Sequence, residues 1–309
     1  MNQTCQLNVV TGAFGYIGKH IAQRLLAAGK EVRTLTGHPG RPNPFGGRVS
    51  VRPFNFENPA ELAKSLEGAA VLYNTYWVRF AYGRVTFDGA VRNSRRLILA
   101  ARDAGVGRIV HISVTNPSAD SALAYYRGKA AVEKAIADSG LSYAIVRPSV
   151  TFGGEDILIN NIAWLLRRFP LFAAPGSGEY HVQPVFVEDI AAIAAGAGES
   201  TDNGVLDAVG PEIYTFNELL ALLARAVGSK ARIVHWSRER VLVAVRLLGC
   251  LVRDVVLTRE EIEGLISNLL ISSQPPLGPT RLSAWLRDHA SELGRRYASE
   301  LARHFRGVS

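Results

Sequence analysis

Val9-Val10-Thr11-Gly12-Ala13-Phe14-Gly15-Tyr16-Ile17-Gly18 is the stretch whose reading decides the fold. Residues 7–11 read as a short apolar strand, the glycines as a tight turn, and residues 17–28 as a helix that stops at Gly29. A pyrophosphate needs this order of elements. The chain must reverse sharply, its backbone must approach the phosphate oxygens, and a helix N-terminus must face negative charge. Gly12, Ala13, Phe14, Gly15, Tyr16, Ile17 and Gly18 are therefore candidate contacts to a dinucleotide.

The alternation continues outward from this turn. Strands are expected at residues 31–36, 49–54, 70–74, 108–113 and 142–147, and helices at 59–66, 88–104 and 125–139, with a Gly- and Pro-rich loop at 37–47. Such alternation implies right-handed crossovers and a parallel sheet covered on both faces, with ligands at the carboxyl ends of its strands. The expected fold class is α/β, a doubly wound parallel Rossmann sheet with a smaller, mostly helical C-terminal substrate-binding part. Residues 1–150, with returning segments at about 183–210, are assigned to the dinucleotide-binding domain, and residues 151–309 to the helical part. There, residues 185–187 read as a strand, Asp189 as the cap of a helix at 190–197, and Thr215 with Glu218 as a capping box. Further helices are expected at 218–227, 238–251, 259–269 and 282–306. The last is amphipathic from Leu282 to Phe305, one helix or two, and either packs on the domain or meets a second copy or a membrane. Apolar residues between Ile157 and Phe172 either wall a substrate pocket or pack.

Bulk properties narrow the partners. A chain of 309 residues, 48% hydrophobic and 20% charged, has the proportions of a globular protein with one large or two smaller cores. Its net charge is +8, but the basic residues are scattered, with no five-residue basic block and no aromatic-basic repeat. A solvated basic surface is expected, and nucleic acid is not. Cys5 and Cys250 make no disulfide framework, which points to a reducing cytoplasm. No cationic start with an apolar run precedes the first strand, so no secretory leader is expected. Residues 241–252 are strongly apolar, yet Arg246 interrupts them and they fall short of the roughly 20 residues a bilayer span requires. They read as a buried or surface-lying helix, with peripheral membrane contact left open. The seven histidines are dispersed and no metal is expected. Monomer and homodimer both remain open.

Two further constellations concern the cofactor and the reaction. A fold of this kind that selects NAD(H) carries Asp or Glu about 20 residues past the glycines, on the ribose 2′-hydroxyl. The corresponding stretch, Val32-Arg33-Thr34-Leu35-Thr36-Gly37-His38, has no acid at the strand end. His38 and Arg41 follow and could meet a 2′-phosphate, which favours NADP(H) while leaving NAD(H) open. Downstream, Tyr125 and Lys129 stand four residues apart and share one helix face. A nearby ammonium favours the phenolate, so the pair can pass a proton to or from a carbonyl or alcohol oxygen. Ser113 and Thr115, two apart in extended chain, point the same way and could hydrogen-bond that oxygen.

Together, Thr11-Gly12-Ala13-Phe14-Gly15-Tyr16-Ile17-Gly18, Ile109-Val110-His111-Ile112-Ser113, Tyr125-Tyr126-Arg127-Gly128-Lys129-Ala130-Ala131-Val132-Glu133 and Val146-Arg147-Pro148-Ser149 resemble the short-chain dehydrogenase/reductase superfamily. The likeness is to its extended and atypical NAD-dependent epimerase/dehydratase branch, which is similar to the NAD(P)H-binding accessory subunit of respiratory complex I. It covers roughly residues 7–220. The resemblance implies that Tyr125 is the catalytic acid/base and that Lys129 binds the nicotinamide ribose while lowering the tyrosine pKa. It places Asn55 and Phe56 beside the adenine, with Asn55 replacing a usual aspartate. It sets Asn74, Thr75 and Tyr76 along the ribose and nicotinamide, and Pro148, Ser149 and Val150 close to the nicotinamide. Gly37 stands where NADP-preferring relatives carry arginine, and Val114 where the family carries a catalytic Ser or Thr. The hydroxyl is then Ser113, Thr115 or neither.

Three functions follow as expectations. The first is an NAD(P)(H)-dependent oxidoreductase acting on a small, apolar carbonyl or alcohol. The second is a non-catalytic NADP(H)-binding structural or regulatory protein. The third is a sugar-nucleotide epimerase or dehydratase, which the apolar residues from Ile157 to Phe172, with Tyr76-Trp77 at the fourth strand end, disfavour.

Overall fold

The computed structural model describes residues 6–304. Cys5, Phe305 and Arg306 lie outside them. The chain divides into two compact units, Met1–Pro148 with Ile190–Asp207, and Ser149–Asp189 with Ala208–Ser309.

The first unit runs β1 (Leu7–Thr11), α1 (Tyr16–Ala27), β2 (Glu31–Thr36), β3 (Val49–Pro53), α2 (Pro59–Lys64), β4 (Ala69–Asn74), α3 (Phe87–Asp103), β5 (Arg108–Ile112), α4 (Ala124–Ala137) and β6 (Ser142–Pro148). Each neighbouring pair from β3 through β2, β1, β4 and β5 to β6 is parallel. All five residues of β1 and all five of β5 are buried, as strands covered on both faces require. Leu35, Leu72 and Ile109 of the sheet pack with Leu62, Leu97 and Ile136 of the helices.

The chain then builds β7 (Thr151–Phe152), α5 (Leu158–Arg168), β8 (Leu171–Pro175), β9 (His181–Val182) and β10 (Val185–Phe186) of the second unit. Helix α6 (Val187–Glu199) belongs to the first unit from Ile190 on, and β11 (Gly204–Ala208) joins β6 as the seventh strand. The sheet order is β11-β6-β5-β4-β1-β2-β3. Chain direction across the sheet reverses between β1 and β4, the switch point at which such sheets open a crevice at their carboxyl ends. The glycine turn leaves β1 there, and Thr75 and Tyr76 leave β4 beside it.

The second unit continues with β12 (Tyr214–Thr215), α7 (Phe216–Ala226), β13 (Arg232–Trp236), α8 (Arg238–Val252), α9 (Arg259–Ile266), α10 (Leu282–His289) and α11 (Glu300–His304). Thr215 and Glu218 form the expected capping box of α7. Phe152, Ile159, Ile162 and Leu166 pack with Leu219, Leu220 and Leu223 in its core.

Several expectations about this unit are corrected. Asp189 does not cap α6. The helix begins at Val187, and the Asp189 carboxylate instead accepts the Thr280 N–H at 2.9 Å and its hydroxyl at 3.0 Å. Of the two alternatives left open for the last segment, the described residues form two helices, α10 and α11. The buried Asp254 carboxylate accepts the N–H groups of Glu300 and Leu301, each at 2.9 Å, and starts α11 as a separate turn. The unit also contains three two-stranded sheets, β10-β7, β12-β9 and β13-β8, where the sequence suggested mainly helix. Strands β7, β9 and β12 have two residues each, too few alternating positions to be seen by periodicity.

Candidate active site

The glycine turn is built from close backbone approach. Gly12 has φ +64°, its N–H donates to the Leu35 carbonyl at 2.8 Å, and its own carbonyl accepts the Gly15 N–H at 2.8 Å. A Cβ on Gly18 would lie 2.3 Å from the Gly12 carbonyl oxygen, so only glycine lets α1 start this near the turn. Gly15 begins α1 without a side-chain cap, and the first turn carries no acid. Close backbone approach at the three glycines, opening on a helix N-terminus with no side-chain cap, fits a dinucleotide pyrophosphate. Ala13 is buried and its N–H is taken by the Thr34 hydroxyl at 3.0 Å. Phe14 meets the buried ring of Phe45 at 6.4 Å, which anchors the 37–47 loop beside the turn. His38 is exposed and Arg41 half-buried in that loop, and the Arg41 N–H donates to the His38 carbonyl at 3.2 Å. Tyr16 lies edge-on to His20 at 5.8 Å, and Ile17 is the half-buried second residue of α1.

A buried network joins this turn to β4 and β5. The Thr11 hydroxyl accepts the N–H groups of Thr75 at 2.7 Å and Tyr76 at 3.0 Å, and the Thr75 hydroxyl donates to the Thr11 carbonyl at 2.5 Å. The Asn74 Oδ1 accepts the Tyr76 N–H at 3.1 Å, so its amide nitrogen faces His111 Nδ1, 3.1 Å away. That places the imidazole proton on Nε2, which is buried without a partner. Burial, then the nearby Lys129, push the His111 pKa well below its ordinary value, so the ring is neutral. His111 was not among the residues singled out from sequence. On its strand it reads only as one polar residue between apolar neighbours.

On the other side of Asn74, Tyr76 accepts a hydrogen bond from Asn93 at 3.0 Å and packs on Phe54 and Phe56, with ring centroids at 5.1 and 5.0 Å. Phe56 therefore joins the group. Asn55, at φ +46°, lines a separate cleft of about 490 Å³ with Arg33, Arg52 and Lys64.

Residues Ser113 and Thr115 extend the β5–β6 ladder past the end of β5. The Ser113 N–H donates to the Val146 carbonyl at 2.7 Å and the Thr115 N–H to the Pro148 carbonyl at 3.0 Å. Both side chains are buried, and the Ser113 hydroxyl has no hydrogen-bond partner. Lys129 reaches the same strand end, where its ammonium donates to the Ile112 carbonyl at 2.9 Å, next to Ser113. It also lies 4.7 Å from the ring centre of Trp77, and burial lowers its pKa to about 7. Trp77 in turn meets Tyr125 edge-on at 6.0 Å, and Phe87 meets both rings. Lys129 thus touches both the end of β5, next to Ser113, and Trp77, and Trp77 in turn touches Tyr125. Trp77 as the partner of Lys129 was not anticipated. The signal was Gly128, a glycine inside a helix, where a Cβ would fall 2.8 Å from the indole. Val150 is the second residue of the second unit, its carbonyl accepting the Val185 N–H at 2.8 Å.

A family model described as NAD(P)H-binding matches residues 12–156. A Streptomyces griseus protein, (4-alkanoyl-5-oxo-2,5-dihydrofuran-3-yl)methyl phosphate reductase, is 30% identical over 231 residues, 72% of this chain and 75% of its own length. The chain belongs to the extended short-chain dehydrogenase/reductase family. Within that family it is also similar to an Arabidopsis thaliana protein, mitochondrial NADH dehydrogenase [ubiquinone] 1 alpha subcomplex subunit 9. The two are 26% identical over 225 residues, 69% of this chain, and the match spans 56% of the plant subunit. The Citrobacter triphenylmethane reductase, solved as a complex with NADP(H), shares the fold of this extended short-chain dehydrogenase/reductase, with a TM-score of 0.76 at 20% identity. That match covers 92% of this chain and 99% of the reductase. The chain is therefore an NAD(P)H-binding member of a reductase- and epimerase-like family. Among the described residues no helix is long and apolar enough to cross a membrane, and no cluster of His, Cys, Asp and Glu could hold a metal.

Proposed function

We propose that the chain is an NADP(H)-preferring oxidoreductase that reduces a small, flat, apolar carbonyl compound or oxidises the matching alcohol. The observation that supports this reading is the bond from Lys129 to the Ile112 carbonyl, which holds α4, with Tyr125 one turn before Lys129, against the strand end next to the unpartnered Ser113 hydroxyl. The nicotinamide supplies or accepts the hydride when bound. Gly12, Gly15 and Gly18 hold the pyrophosphate, and Thr75 and Tyr76 border the ribose. His38 and Arg41 face the 2′-phosphate, consistent with the lack of an acid at the end of β2. Tyr125 donates its phenolic proton to the reacting oxygen or takes one back, and Ser113 hydrogen-bonds the same oxygen. The charge of Lys129, when protonated, favours the phenolate. Trp77 and Phe87 present aromatic surface next to Tyr125 and favour a planar apolar substrate. The apolar residues Ile159, Ile162 and Leu166 contribute nothing to that preference, because they are core.

The test is NADPH oxidation across a panel of quinones, aldehydes and ketones. Tyr125→Phe is expected to lower kcat by about 100-fold or more, while the NADPH Kd from fluorescence titration stays within about threefold. Unchanged turnover in Tyr125→Phe would rule out the assigned proton donor.

A specific observation also favours a second reading, a dinucleotide-binding protein without turnover. The Lys129 ammonium is already committed to the Ile112 carbonyl and the Trp77 face, a purely structural task. Tight NADPH binding with no oxidation by any member of the panel would select it.

A further inference from the structure

Helix α8, in the second unit, carries an apolar stripe on its outer side. Val243, Leu247 and Leu251 are 56%, 68% and 74% exposed. Their spacing of four places them in one row along the helix, and the exposed Cys250 lies beside them. The opposite face is the packed one, with Val241 buried and Leu242, Val245 and Val252 half-buried. The helix thus presents a row of large apolar side chains to solvent.

Charge says what covers this row. Arg240 stands one turn ahead of Val243 in the same row, and Arg246 flanks Leu247. Both are exposed, and neither makes an ion pair among the described residues. The one acid among the helix's own residues, Glu239, is already bonded to Arg238 at 3.0 Å. A second copy docked antiparallel through the same face, about an axis near Leu247, would set the two Arg246 side chains against one another. An anionic bilayer offers what the row asks for, acyl chains for the leucines and valine, and phosphates for the arginines. We propose that α8 is a peripheral docking helix that lies in the surface of an anionic membrane, with Val243, Leu247 and Leu251 inserted and Arg240 and Arg246 at the headgroups.

The experiment uses the full chain and vesicles of phosphatidylglycerol mixed with phosphatidylcholine, or of phosphatidylcholine alone. Co-sedimentation is expected to be at least about tenfold stronger with the anionic vesicles, and to weaken as salt rises. Leu247→Ser with Leu251→Ser is expected to reduce it about tenfold or more, with an unchanged melting temperature because both positions are exposed. Arg240→Gln with Arg246→Gln is expected to remove most of the preference for anionic lipid. In a Cys5→Ser background, an environment-sensitive fluorophore on Cys250 should shift to the blue on the anionic vesicles. Absence of vesicle binding, or binding that survives the leucine substitutions, overturns the proposal. So does a dimer in sedimentation equilibrium that those substitutions dissociate, since a second copy would then own the face.

Discussion

Lys129 shows how much a single residue's setting changes its chemistry. The same side chain that reads in the sequence as a charge beside Tyr125 is 3% exposed, bonded to a backbone carbonyl and covered by Trp77. Burial lowers its pKa from 10.5 to about 7, with Glu133 opposing the shift. Between those pH values the folded chain binds fewer protons at this site than the unfolded chain, so stability attributable to Lys129 rises with pH across that window. Lys129→Met removes this dependence. Urea unfolding at pH 7 and pH 9 should show the wild type gaining about 2 kcal/mol relative to the variant over that interval. An equal offset at both pH values would show that the residue keeps an ordinary pKa. His111 makes the complementary point. A neutral imidazole with an unpartnered Nε2 proton sits beneath the site, and nothing local in the sequence announced it.

Among the elements, α4 was the most legible and also held the least expected contact. Its limits and the shared face of Tyr125 and Lys129 follow from a 3.6-residue period. Its fit against Trp77 does not, because Trp77 arrives from the end of β4, half a domain away in sequence. Gly128 makes the approach feasible. Gly128→Ala should gain up to about 1 kcal/mol in helix propensity and lose more, for a net destabilisation of about 1–3 kcal/mol. The indole carbon 2.8 Å from the new Cβ must move. Thermal unfolding reads the net effect, and Trp77→Ala should make the same substitution harmless or stabilising, a coupling a double-mutant cycle detects. The last helix shows the limit of periodicity. The spacing from Leu282 to Leu301 is amphipathic throughout, yet the buried Asp254 carboxylate, from another part of the chain, restarts the helix at Glu300. Asp189 fails as a cap for a related reason, since Thr280 takes its oxygens.

For the molecule as a whole, the sheet of the first unit is closed by residues that come back late in the chain. Arg108, buried at the start of β5, donates to the Ala197 carbonyl at 2.8 Å, to the Asp202 carbonyl at 2.6 Å and to the Ser142 hydroxyl. Asn203 accepts the Tyr143 N–H at 2.7 Å beside them. Arg108→Leu leaves these acceptors without a donor and should cost about 2–4 kcal/mol; chemical denaturation gives the value, and a loss below 0.5 kcal/mol would mean water replaces the guanidinium. The sequence by itself determined the parallel α/β sheet, the glycine turn at the end of β1 and the helix that carries Tyr125. These are local matters, set by backbone conformations only glycine reaches, by side-chain periodicity and by capping within a few residues. Only the tertiary structure decided that Asn74 meets His111, 37 residues on, and that Arg108 holds Asp202, 94 residues on. It alone put Trp77 over Lys129 and left Leu247 and Leu251 bare on α8. Such contacts depend on which strand ends and faces the completed fold brings together, and a short apolar or polar stretch looks the same in sequence whichever neighbour it finds.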